Sequence, residues 1–179
     1  KWRGDGKKVL LSFGGAGMGG SWAGNVNNCW DHCLDKTPHV VNQLVNIVKE
    51  QNFDGIDIDY EYFYSTADQK NFLRQLTTGL KASLPDGQNI VIHTPMDSDV
   101  MKGTAYYRIL KQESASIDFI MPQYYNGNIR PAPDGFTGTG AGTVAASTHY
   151  NNLVTDMFDN EPHKVVFGFC ISDCSGTGS

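Results

Sequence analysis

Between Phe53 and Tyr62 the chain reads Phe-Asp-Gly-Ile-Asp-Ile-Asp-Tyr-Glu-Tyr, which sets Asp57, Asp59 and Glu61 at every second position. In an extended strand alternate side chains project to opposite faces, so these carboxylates share one side and Ile56, Ile58 and Tyr60 share the other. Successive acids then lie roughly 6 to 7 Å apart, at about 3.3 Å rise per residue. Taking an unpaired carboxylate out of water is costly, and a sequence built only to fold would not place such a row there. Crowded carboxyl groups share protons, which suits the outermost, Glu61, to donate one. Cleavage of a glycosidic bond needs that: a proton reaches the leaving oxygen while charge on the sugar carbon is stabilised from the opposite side. A solvated acidic edge or a calcium site is the alternative. Calcium loops spread oxygen ligands around a turn, whereas this run is β-forming and lacks EF-hand spacing. No metal or cofactor is expected.

The elements that must position this row alternate between β-rich runs and helical patterns, the signature of a parallel α/β fold. Strands are predicted at Lys7 to Gly15, Phe53 to Glu61, Asn89 to Pro95, Ile117 to Asn126 and Lys164 to Ile171. Helices are predicted over Thr37 to Gln51, Thr66 to Leu84, Ala105 to Gln112 and about Val144 to Phe158, with a long loop from Gly127 to Thr143. Thr37 and Pro38 form a helix start, and Pro85, Asp86 and Gly87 punctuate the chain. Polar residues at the C-terminal ends of the strands fit consecutive units of a (β/α)8 barrel, with a doubly wound sheet as the rival. A barrel of about 250 residues exceeds this chain, so part of one is expected, with strands missing at both ends.

Composition narrows the partners. The 179 residues carry 14 basic and 19 acidic side chains, a net charge of −5, with no basic stripe to follow a phosphate backbone. Nucleic acid is not an expected partner. The longest apolar runs, such as Val9 to Leu11, are far too short to cross a bilayer, and a monomer free of the membrane is expected. The cysteines fall as two short pairs, Cys29 with Cys33 and Cys170 with Cys174. Local bridges in an oxidising, extracellular compartment are the expectation, with reduced thiols as the alternative. A zinc site ranks lower because CxxxC spacing lacks placed partner ligands.

The run Asp54-Gly55-Ile56-Asp57-Ile58-Asp59-Tyr60-Glu61 resembles the DGxDxDxE signature of glycoside hydrolase family 18, the chitinases and endo-β-N-acetylglucosaminidases. Upstream, Ser12-Phe13-Gly14-Gly15 resembles the family's SxGG strand ending. Downstream, Gln123-Tyr124-Tyr125-Asn126 resembles its QxYN ending. The resemblance runs through nearly all of 1–179 and implies one partial catalytic domain covering barrel strands three to seven. It further implies a chitinase that cleaves β-1,4-linked N-acetylglucosamine with retention and substrate assistance. In that scheme Glu61 is the acid and base, Asp59 orients the 2-acetamido group, Asp57 supports Asp59, and Tyr125 donates to the acetamide. Gln123, Asn126, Gly15 and Met96 are implied substrate contacts, and Ser12 and Asp54 structural supports. The resemblance places no metal in the site.

Alternatives stand beside these roles. Gly14 and Gly15 serve equally as a tight turn. By parity Tyr60 belongs to the core, while Tyr62 and Tyr64 are candidates for a sugar floor. Trp22 and Trp30 are sugar-stacking or loop-anchoring residues, and Asp97 is a further subsite candidate. An endo-β-N-acetylglucosaminidase acting on N-glycans is the nearest alternative activity. A chitin-binding lectin without catalysis is another, and in such relatives the acid at the Glu61 position is commonly replaced.

Overall fold

The computed structural model describes residues 2–19, 29–125, 129–130 and 144–169. It forms two compact units, Lys1–His93 with Ala115–Asp118, and Thr94–Ser114 with Phe119–Ser179.

In the first unit β1 (Leu10–Gly14), β2 (Gly55–Asp59) and β3 (Ile90–His93) lie parallel in that order. Ser12 pairs with Asp57 and Asp57 with Ile92. Parallel neighbours need a crossover, and the helices α1 (Thr37–Glu50) and α2 (Ala67–Ser83) supply it. Of the apolar face predicted for α1, Val41, Leu44, Val45 and Val48 are buried, while Val40 is half-buried and Ile47 is exposed. Pro38 sits in its first turn, where a missing N–H costs nothing. Thr66 starts α2 with a reciprocal cap, its hydroxyl accepting from the Gln69 N–H while Gln69 Oε1 accepts from the Thr66 N–H at 3.0 Å. Phe72, Leu73, Leu76 and Leu80 are buried on that helix, each stabilising by about 1.5 to 3 kcal/mol relative to exposure. At Gly79 an added Cβ would lie 3.1 Å from Val41, so the helices meet closely at that point.

The second unit holds α3 (Ala105–Gln112), β4 (Phe119–Ile120), β5 (Ile129–Arg130), β6 (Val144–Ala145) and α4 (Ala146–Asn152), which runs on into a π-helical turn, Leu153–Met157. Among the described residues the predicted strand from Ile117 to Asn126 shrinks to Phe119–Ile120, and Pro122 offers no N–H to extend the ladder. Pairing resumes at single positions, Met96 with Gln123 and Gln123 with Gly168. The predicted last strand is likewise reduced, among described residues, to bridges at Val165 and Gly168. Inside the stretch expected as pure loop, Ile129 begins a strand that pairs in parallel with β6. Ile129 packs there with Tyr124 and Ala146. No helix among the described residues is long and apolar enough to cross a membrane.

Candidate active site

The strand at the centre of the first unit separates its two faces cleanly. Ile56, Ile58, Tyr60 and Tyr62 are buried, while Asp57, Asp59 and Glu61 each keep partial access to solvent. The regular strand stops at Asp59, so Glu61 stands just beyond its end and not within it, as the sequence suggested. Tyr60 is core: its ring meets Trp30 edge-on at 4.7 Å, and its hydroxyl donates to the Phe63 carbonyl at 2.6 Å. Trp30 is fully buried against Phe13, Tyr60 and Phe72, so it anchors its loop and is not a sugar-stacking surface. Tyr62 is also buried and donates to Asp31 at 2.9 Å, which removes it from the candidate sugar floor. Burial first, then the Asp31 carboxylate, raises its phenol pKa.

The ending of β1 builds around the acids. Ser12 Oγ donates to Asp57 Oδ2 at 2.8 Å. Gly14 has φ 129°, and a Cβ there would fall 2.0 Å from the Asp59 carbonyl oxygen, so no other residue fits without backbone movement. The Gly15 N–H donates to that same carbonyl at 2.8 Å. A Cβ at Gly15 would stand 3.3 Å from Asp59 Oδ2. The two glycines therefore fix the Asp59 backbone and keep room beside its carboxylate. Asp54 ties the strand entrances together, accepting from the Val9 N–H at 2.8 Å and from Lys8 at 3.2 Å. The Val9 bond above all holds its pKa below the ordinary carboxylate value. On the opposite side of β3, His93 is enclosed, its Nε2 3.0 Å from Thr77 Oγ1. The Thr77 hydroxyl donates to the Leu73 carbonyl, so the ring nitrogen is the donor of that pair. Burial lowers the His93 pKa to about 3.

The second unit brings Gln123, Tyr125 and Met96 together. Gln123 Nε2 donates to the Thr94 carbonyl at 2.9 Å, and its Oε1 accepts from the Tyr125 hydroxyl at 2.7 Å. Met96 pairs with Gln123 through the backbone. Asn126 lies outside the described residues, as do Trp22, Cys170 and Cys174. Asp97 is a structural clamp and not a subsite residue: it is buried, accepting from the Ser98 N–H at 2.6 Å and the Ile129 N–H at 2.8 Å. The sequence also concealed a buried relay. His149 Nε2 donates to the Val100 carbonyl at 3.1 Å, which leaves Nδ1 to accept from Tyr124 at 2.9 Å. Burial lowers the His149 pKa and raises that of Tyr124. Only the parity of Tyr124 against Gln123 and Tyr125 hinted at it.

The expected Cys29–Cys33 bridge is not present; both are free thiols. Cys33 Sγ is directed at the Cys29 carbonyl oxygen, 3.7 Å away, just past the short helical turn Cys29–His32 that buries Trp30. Burial, followed by the neighbouring Cys29, raises the Cys33 pKa. Among the described residues no group of three or more His, Cys, Asp or Glu is arranged to hold a metal ion.

Parallel strands joined by helices, with polar groups gathered where a strand ends, define an α/β protein. The chain belongs to the glycosyl hydrolases family 18, whose model matches residues 2–171. It is 31% identical over 132 residues to Chitinase 1 of Tulipa saxatilis subsp. bakeri, covering 72% of this chain and 40% of that protein. Its structure is similar to that of a GH18 chitinase from Pseudoalteromonas aurantia, with TM-score 0.73 and 28% identity over 99% of this chain and 62% of that one. A family 18 chitinase from Crocus vernus shares the fold at TM-score 0.53 and 24% identity, over 89% of this chain and 51% of that one. The chain thus spans less than two thirds of each of these relatives.

Proposed function

We propose that the protein is a chitinase that hydrolyses β-1,4 linkages between N-acetylglucosamine units with retention, using the substrate's own acetamido oxygen as nucleophile. The observation that carries the proposal is the parity of β2: carboxylates alone on the accessible face, apolar residues alone on the buried one. Glu61 gives its proton to the bridging oxygen and then takes one from the attacking water. Asp59 turns the acetamido group toward the anomeric carbon and stabilises the positive charge that develops on it. Asp57, held by Ser12, keeps Asp59 in place. Tyr125, steadied by Gln123, donates to the acetamide, and Asn126 and Met96 contribute contacts to the sugar.

In this reading β1, β2, β3 and β4 are the third to sixth strands of a (β/α)8 barrel, the stretch around Val165 to Gly168 is the seventh, and 1–179 is one partial catalytic domain. The substrate is chitin or its oligosaccharides, the protein acts as a monomer, and an insoluble polymer places its action outside the cell. The intact acid series favours catalysis over sugar binding alone. Hydrolysis of a chitin oligosaccharide by the full-length protein and by Glu61→Gln decides the matter. A loss of most activity in the variant is expected, and equal rates would remove Glu61 from the mechanism.

A further inference from the structure

The short segment that carries Gln123 and Tyr125 is held by the residue between them. Tyr124 and His149 are both buried, and their rings meet edge-on at 5.6 Å. A carbonyl oxygen only accepts, so the 3.1 Å contact with Val100 fixes a proton on His149 Nε2 and leaves Nδ1 to take the Tyr124 hydroxyl at 2.9 Å. Burial lowers the His149 pKa, which favours the neutral ring that this pattern requires. His149, on α4, thereby joins the Tyr124 side chain to the end of the turn Asp97–Val100. The same turn reaches Tyr124 by a second route: Asp97 accepts from the Ile129 N–H at 2.8 Å, and Ile129 packs with Tyr124. The backbone is pinned as well, the Gln123 N–H donating to the Pro95 carbonyl at 2.9 Å and the Tyr124 N–H to the Gly168 carbonyl at 2.7 Å.

A core that needed only volume here would be served by two apolar side chains, with no polar atom to satisfy. A buried hydrogen bond instead selects one orientation, because its strength falls steeply with misalignment and an unpaired group in the interior is costly. Tyr124 lies between the two site residues in the chain, so a shift of its side chain is passed to both neighbours through the backbone. The Tyr125 hydroxyl in turn depends on Gln123, to whose Oε1 it donates at 2.7 Å. We infer that His149 is a positioning residue for the proposed reaction: through Tyr124 it sets the direction in which Tyr125 presents its hydroxyl to the acetamido group. This role rests on the hydrolase reading, in which Tyr125 is the donor to that group.

Steady-state kinetics of full-length variants on a chitin oligosaccharide test the role. Tyr124→Phe keeps the ring and removes the bond to His149; it is expected to lower kcat on the order of ten-fold with KM little changed. Tyr125→Phe is expected to lower kcat on the order of a hundred-fold, and adding Tyr124→Phe to it should cost nothing more, because the effect passes through Tyr125. His149→Leu should match Tyr124→Phe, whereas His149→Asn, whose Oδ1 takes the place of Nδ1 as acceptor, should recover most of the loss. Unchanged kcat in Tyr124→Phe, a double variant whose loss is the product of the two single losses, or equal losses in His149→Leu and His149→Asn overturns the role of His149 and leaves the hydrolase reading intact. Unchanged kcat in Tyr125→Phe removes Tyr125 from the mechanism, and absence of cleavage by the unaltered protein refutes the hydrolase reading; either result takes the role of His149 with it.

Discussion

The two faces of β2 are made of the same five backbone units and do opposite work. One face offers Asp57 and Asp59 to solvent and leads to Glu61; the other buries Ile56 and Ile58 and leads to Tyr60. Because side chains alternate with a period of two, a single strand holds a carboxylate row and a core row without compromise between them. The acids are spared full burial, and Tyr60, between Asp59 and Glu61, packs the chain against Trp30 and against Phe72 of α2. In the proposed mechanism stability and chemistry are therefore separable by parity.

Substitutions on the two faces test that separation. Asp59→Asn on the accessible face is expected to lower kcat on chitin oligosaccharides by roughly a hundred- to a thousand-fold while the melting temperature changes little. Ile58→Ala, one position away, should do the reverse: about 2 to 5 kcal/mol of unfolding free energy lost by urea titration, with kcat of the folded fraction kept. A large kcat loss in folded Ile58→Ala protein would break the comparison.

The behaviour in acid sharpens it. His93 has a folded pKa of about 3, below its ordinary value of 6.5, so the folded state favours its neutral form. Its contribution to stability is complete above about pH 6.5 and is lost as pH falls from there toward 3, at up to about 1.4 kcal/mol per pH unit. Urea midpoints measured across that window should flatten in His93→Gln relative to the unaltered protein. The smallest effect is expected for Ser12→Ala, which removes the donor to Asp57 and should lower kcat on the order of ten-fold, with little change in KM.

Strand β2 and its two rows were legible in the sequence because a period of two is visible when acids and β-branched residues alternate. Helices α1 and α2 were legible for the matching reason, a broad apolar stripe behind a start signal, Pro38 in the first turn of α1 and the Thr66 cap on α2. The pairing of Ile129–Arg130 with Val144–Ala145 was not, since two-residue strands contain no period to read. Asp97 looked like a mouth residue from its place after a strand. Its role as an acceptor for the distant Ile129 N–H depends on a fold-back that no local pattern announces. Close cysteine spacing likewise says nothing of side-chain direction, and the Cys33 thiol faces the Cys29 carbonyl.

The account rests on a neighbouring acetamido group, and not a water molecule, attacking the sugar carbon while Glu61 supplies the proton. Proton NMR of the first product released from a chitin oligosaccharide, recorded before mutarotation, tests this directly. Retention of configuration makes the new reducing end appear as the β-anomer. Release of the α-anomer would contradict it.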